Sequence, residues 1–216
     1  MRKLSVLFGA FVIAFATSAY ADFALPGELT PETTDIGFKF NDAKYKVTRT
    51  ISKNSLDLKV FDSEEKQIWS SGEIGQQASK FVYGKDSTTL KVDDLDGDNI
   101  PEIIAGTTYG TNSELHVFKY NTEKKIYEAM NFGYKDSDLS RDFMVSDIPA
   151  ADGENMVFTS KTQIRTMGKI YNEDGAVPGF YYFELEGNQF ICNKIEKAPI
   201  ENDISPVTPA EAPAEN

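Results

Sequence analysis

Apolar and polar residues alternate in short runs along most of this chain. Residues 44–51, KYKVTRTI, place Tyr45, Val47 and Ile51 on one face of an extended segment and Lys44, Lys46 and Thr48 on the other. Leu56, Leu58 and Val60 alternate in the same way within SLDLKVF. A period of two is that of a strand with one buried face. Clusters of Gly, Asn, Asp and Ser bound these runs, and helical spacing is scarce. The pattern therefore predicts an all-β domain of antiparallel hairpins.

The runs also echo one another. LKVFDSEEKQIWSSG from Leu58, LHVFKYNTEKKIYEA from Leu115 and FYYFELEGNQFICNK from Phe180 each read as an apolar strand, a polar turn and a second strand. The second strand opens on an apolar pair, Ile68-Trp69, Ile126-Tyr127 or Phe190-Ile191. In addition, LKVDDLDGDNIPEII (90–104) lies over FMVSDIPAADGENMV (143–157) without a gap. Asp94 then falls on Asp147, whereas Asp96, Asp98 and Glu102 fall on Pro149, Ala151 and Asn155. Self-similarity of this kind predicts a repeat architecture in which the second unit keeps its strands and loses its acids.

The two ends have a different character. Met1, Arg2 and Lys3 precede a largely apolar run, Leu4 to Ala16, and the segment closes on Ala-Tyr-Ala. That order predicts a secretory signal peptide over residues 1–21, cut after Ala21, and a periplasmic or secreted protein. The run is too short to span a bilayer, so no membrane insertion is expected once it is removed. Residues 198–216 are rich in Pro, Ala and Glu and are expected to be disordered. Residues 22–197 then form a single β-domain, long enough to bury its own core.

Removing residues 1–21 takes away Arg2 and Lys3 and no acid, which moves the formal charge from −12 to −14. Such a surface repels nucleic acid and suits a divalent cation or a basic partner, although a merely solvated acidic face gives the same count. Cys192 is the only cysteine and lies in an apolar run, so no internal disulfide is available and a buried thiol is expected.

The acids concentrate in VDDLDGDNIPEIIAG, residues 92–106. Within it Asp94, Asp96 and Asp98 alternate, Glu102 follows, and an apolar strand resumes at once. Calcium takes six to eight oxygens at roughly 2.3–2.6 Å, and a tight loop directs alternate side chains to one ion. Asp94, Asp96, Asp98 and Glu102 are the expected carboxylate ligands, with the Ile100 carbonyl between them. Two carboxylates about 5 Å apart repel by roughly 3 kcal/mol at an effective dielectric of about 20, so the loop calls for a cation. Gly97 supplies freedom between ligands, and Asn99 is a residue type that tolerates positive φ. On this reading Asp96→Ala lowers stability in calcium and leaves the calcium-free protein unchanged or slightly more stable.

The loop departs from an EF-hand, because Ala105 stands at the twelfth position and a strand replaces the second helix. "DLDGDNIPEII" instead resembles the FG-GAP and VCBS-type repeats of β-propeller and other extracellular proteins, whose usual form is D-x-D-G-D-G-x-x-D/E before an apolar strand. Asn99 here replaces the second glycine. The resemblance covers residues 90–130, where a Gly-rich turn and a hairpin follow the loop. It implies calcium held between strands for structural purposes, often in adhesion or binding proteins, and blade-like β-repeats. Three hairpins and one intact loop fall short of a closed propeller, so a sandwich, an open sheet assembly and a propeller with one unrecognised blade all remain open.

Catalytic patterns are scarce. His116 is the only histidine and sits within an apolar strand, and one His and one Cys are too few for a catalytic zinc site. Paired carboxylates are available in abundance but without a distinguishing pattern. The aromatics Tyr45, Trp69, Tyr109, Tyr127, Tyr134, Tyr181 and Tyr182 are candidates for recognition or for packing. Residues 107–113, TTYGTNS, read as a polar loop beside the ion and as the best binding surface. The sequence therefore reads as an exported, non-enzymatic, calcium-binding β-repeat protein that engages another protein or a glycan. An inhibitor of a lysozyme-like hydrolase and a carbohydrate-active enzyme are the alternatives.

Overall fold

The computed structural model describes residues 32–173 and 175–199. The expected signal peptide and all of the expected tail beyond Pro199 lie outside the described residues. Among the described residues the fold is all-β, built from mainly antiparallel sheets with no closed barrel, in a sandwich-like arrangement. Strands are numbered in chain order.

The first sheet is a meander of β1 (Glu32–Phe40), β2 (Ala43–Ser52), β3 (Ser55–Phe61) and β4 (Gln67–Gly75). The alternation that predicts it is realised in β3, where Leu56, Leu58 and Val60 are fully buried. In β2 the inward series includes Arg49 as well as Val47, and both are buried. The Arg49 guanidinium is tied to Thr89 and, at 2.9 Å, to Thr34, with Glu32 at 3.6 Å.

The middle sheet has β9 (Glu102–Tyr109) and β10 (Asn112–Asn121) at its centre, with β8 (Leu90–Asp93) and β5 (Gln77–Ala78) on β9. The strands β11 (Ile126–Ala129) and β14 (Met144–Ser146) lie on β10. The third sheet runs in the order β13 (Ser140–Arg141), β12 (Asn131–Tyr134), β18 (Gln189–Lys197), β17 (Gly175–Glu186), β16 (Gln163–Asn172), β15 (Met156–Ser160), β6 (Phe81–Tyr83), β7 (Asp86–Thr88). Two of its pairings, β12 with β18 and β15 with β6, are parallel.

The two hydrophobic cores show how the sheets stack. Val47, Leu56, Leu58 and Val60 of the first sheet pack with Leu90, Ile103, Ala105 and Phe118 of the middle sheet. Ile104, Leu115 and Val117, from the opposite face of the middle sheet, pack with Phe81, Phe158, Ile164, Phe183 and Phe190 of the third. The middle sheet is thus covered on both faces. That is why β9 reads as a continuous apolar run, with residues 102–107 all buried, rather than as an alternation.

The three echoing hairpins are β3–β4, β10–β11 and β17–β18, one in each sheet. The second echo behaves differently. β8 pairs with β9 across the acidic loop, whereas the segments that overlie them, β14 and β15, belong to different sheets. Residues 147–155 therefore carry the chain from the middle sheet to the third, and the likeness of 90–104 to 143–157 ends at the strands.

Candidate metal site

The acidic loop, residues 94–101, joins β8 to β9 and is shaped by its own carboxylates. Asp94 accepts hydrogen bonds from the Gly97 N–H at 2.9 Å and the Asn99 N–H at 3.0 Å, one on each oxygen. Asp96 accepts from the Asp98 N–H at 3.3 Å, and Asp98 from the Ile100 N–H at 2.7 Å. Gly97 and Asn99 have φ of 82° and 66°, as the residue types lead one to expect. A glycine at 97 and a short amide side chain at 99 let the loop take these two left-handed conformations.

Glu102 opens β9 on the face turned towards the third sheet and is 1% exposed. Its Oε2 accepts the Leu95 N–H at 2.8 Å, and its Oε1 is buried without any hydrogen-bond partner. One carboxylate oxygen each from Asp94, Asp96 and Glu102 lie within 4.8 Å of one another. The structure thus gathers three of the expected ligands directly. Asp98 reaches the same place from the side, through a shared partner, and Ile100 takes part in the loop through its N–H.

That shared partner is Lys119, on β10. Its Nζ bonds Asp96 and lies 3.1 Å from Asp98 Oδ2 and 3.9 Å from Glu102 Oε1. Sequence reasoning missed Lys119, yet a signal for it exists. Tyr109 pairs with Asn112 across a two-residue turn, and counting outward along the ladder puts Glu102 opposite Lys119, one step beyond the Ile103–Phe118 pair.

The charges adjust to this geometry. Burial pushes the Glu102 carboxyl up to about 7, helped by the negative charges of Asp96 and Asp98, while the Leu95 N–H and Lys119 work the other way. Burial also opposes ionisation of Asp96, but the hydrogen bond and charge of Lys119 outweigh it and its value falls. Lys119 itself is raised: burial lowers it, and the bonds to Asp96 and Asp98 more than compensate.

The base of the loop is tied to the third sheet. Asp93 takes the Tyr83 hydroxyl on Oδ2 at 2.7 Å, and its Oδ1 takes the Lys161 ammonium at 2.8 Å and the Asp94 N–H at 2.9 Å. Lys161 also donates to the Asp94 carbonyl at 3.1 Å. Burial opposes charge on Asp93, but these donors hold it below the usual carboxylate range.

The oxygen-only, anionic donor set fits a hard divalent cation such as calcium, and the unmatched Glu102 oxygen is a position such an ion would satisfy. Asp94, Asp96 and Glu102 are the carboxylates close enough together to hold it.

Other expected features fall elsewhere. Residues 107–113 are not a loop beside the acidic cluster. They are the ends of β9 and β10 around a Gly110-Thr111 turn, and the length of β9, about 23 Å, separates that turn from Glu102. Tyr109 is 62% exposed there, whereas Trp69 packs against Phe118 and Tyr127 between the first and middle sheets. His116 Nε2 faces both Thr107 Oγ1 at 3.1 Å and Glu114 Oε2 at 3.5 Å. A nucleophile–base–acid relay needs one partner on each ring nitrogen, and here both meet the same one. Cys192 is free and buried. Comparison with protein-family models, with curated proteins and with solved structures gives no match to this chain.

Proposed function

We propose that this chain is an exported, non-enzymatic, calcium-binding β-repeat protein that serves as a binding module for another protein or a glycan. Asp94, Asp96, Asp98 and Glu102, with the Ile100 carbonyl, are its calcium ligands. The observation that carries the reading is Glu102: a carboxylate 1% exposed, with one oxygen unpartnered, facing two further carboxylates. Burying such an oxygen without a hydrogen-bond donor costs free energy that the Lys119 charge at 3.9 Å offsets only in part, and a hard cation offsets it further. Export is supported by the leader-like pattern of residues 1–21.

The binding role is supported by a groove of about 440 Å³ whose walls include Tyr134, Tyr171, Tyr181, Arg141, Asp147 and Lys169. Aromatic faces beside charged hydrogen-bonding groups suit a sugar ring or an extended polar chain. The test of the calcium reading is a thermal melt of the purified protein in EDTA, in about 2 mM magnesium and in about 2 mM calcium, near the millimolar affinities of extracellular modules. A rise specific to calcium is expected. No shift, together with no heat of binding, refutes the reading.

A further inference from the structure

Lys119 stands between two carboxylates on one face of the middle sheet. Glu102 lies on β9 one step beyond the last pair, Ile103–Phe118, with its Oε1 3.9 Å from the ammonium, and Glu128 is directly opposite Lys119 on β11. Residues paired across neighbouring strands project from the same face, so the ammonium has a possible partner on either side. It is turned towards the acidic loop, where it meets Asp96, Asp98 and Glu102, and its side chain is only 17% exposed. Glu128 is meanwhile bonded by Asn121 at 2.8 Å and Lys124 at 2.7 Å, on the more open side of the strand.

We propose that Lys119 is a tethered cation that competes with the metal for the acidic loop, so that calcium enters only as the ammonium swings away towards Glu128. The inference rests on the calcium reading of the loop. Its physical basis is that an ammonium and a divalent ion cannot share one group of carboxylates at contact distance without strong repulsion. The lysine supplies one positive charge where an ion supplies two. It therefore holds the loop in shape without fully neutralising it and leaves Glu102 Oε1 unbonded, which a divalent ion would remedy.

The device has two consequences. Calcium binds less tightly than the carboxylate count alone implies, because each binding event must first break the lysine contacts. And the loop keeps its fold when calcium is scarce.

The experiment is calcium titration by calorimetry of the full chain and of Lys119→Met and Lys119→Arg, at constant ionic strength. It is paired with amine-labelling mass spectrometry of the unmodified protein in EDTA and in calcium. The expected result is that Lys119→Met binds calcium at least tenfold more tightly, that Lys119→Arg stays within threefold of the parent, and that Lys119 becomes more reactive when calcium is present. Calcium binding of equal strength in the parent and Lys119→Met, with unchanged labelling, overturns the tethered cation and leaves the calcium reading intact. No binding by any of the proteins overturns both. Should Lys119→Met fail to fold, the labelling of the parent protein decides.

Discussion

Glu102 and Lys119 face each other across β9 and β10 with 3.9 Å between Oε1 and Nζ, a charge pair without a hydrogen bond. Lys119 gives its bonds to Asp96 and Asp98 instead, so Glu102 is the least well satisfied acid of the loop.

A pH dependence follows from this. The folded-state value of Glu102 is about 7, above its ordinary 4.5, so the protonated form is the one folding favours. Relative stability from this group is fully present below about 4.5 and is lost as pH rises through about 7. The loss between pH 5 and pH 8 in EDTA amounts to roughly 2–3 kcal/mol. Urea unfolding across that range checks it. Glu102→Gln flattens this component, and saturating calcium reduces it in the parent protein by favouring the ionised carboxylate.

For Asp96→Ala the Lys119 contact changes the expectation. Charge repulsion alone predicts an unchanged or more stable calcium-free protein. Because Asp96 is bonded by Lys119, the calcium-free variant is instead expected to lose up to about 1 kcal/mol, the range of a partly exposed ion pair. The calcium-dependent rise in Tm falls to less than half. Melts in EDTA and in calcium measure both effects.

At Asn99 the backbone, rather than the side chain, sets the requirement. With φ at 66°, Asn99→Gly is expected to leave stability within about 0.5 kcal/mol or to raise it. Asn99→Val is expected to cost about 1–2 kcal/mol, since a β-branched residue resists that conformation. Chemical denaturation in EDTA separates the two.

Gly106 sits in β9 where the short connection from β5 to β6 passes closely. A Cβ there would lie 2.1 Å from the Ser79 carbonyl oxygen and 3.1 Å from Phe81 Cδ1. Gly106→Ala is therefore expected to destabilise the protein by about 2–4 kcal/mol, with or without calcium. An equal loss in both conditions, read from melts, distinguishes a packing fault from a loop fault.

Much of the loop was legible in the sequence because it is local. The alternating aspartates, the positive φ of Asn99 and the return to an apolar strand are all set within about ten residues. Lys119 was not legible on the same terms, because its position depends on a hairpin register. Reading residues 107–113 as a loop hid the two-residue turn from which that register is counted. The alternation of β3 announced its strand, and in β2 the same period puts Arg49 on the face of Val47, but it gave no sign of the Thr34 and Thr89 hydroxyls that receive the guanidinium there. The crossing from β14 to β15 was invisible, since strands that pair and strands that part look alike in one dimension.

The place of β18 has a consequence in time. It is the last of the described strands, yet it lies inside the third sheet, bonded to β17 on one side and to β12 on the other. It also brings Phe190 and Cys192 to the core. During synthesis, the first and middle sheets have all their strands once Ser146 has emerged, while β12 must wait for a neighbour that is made last. A chain terminated before Gln189 would expose the open side of β12, and such edges recruit other chains. Premature termination should therefore yield aggregates rather than a smaller working protein.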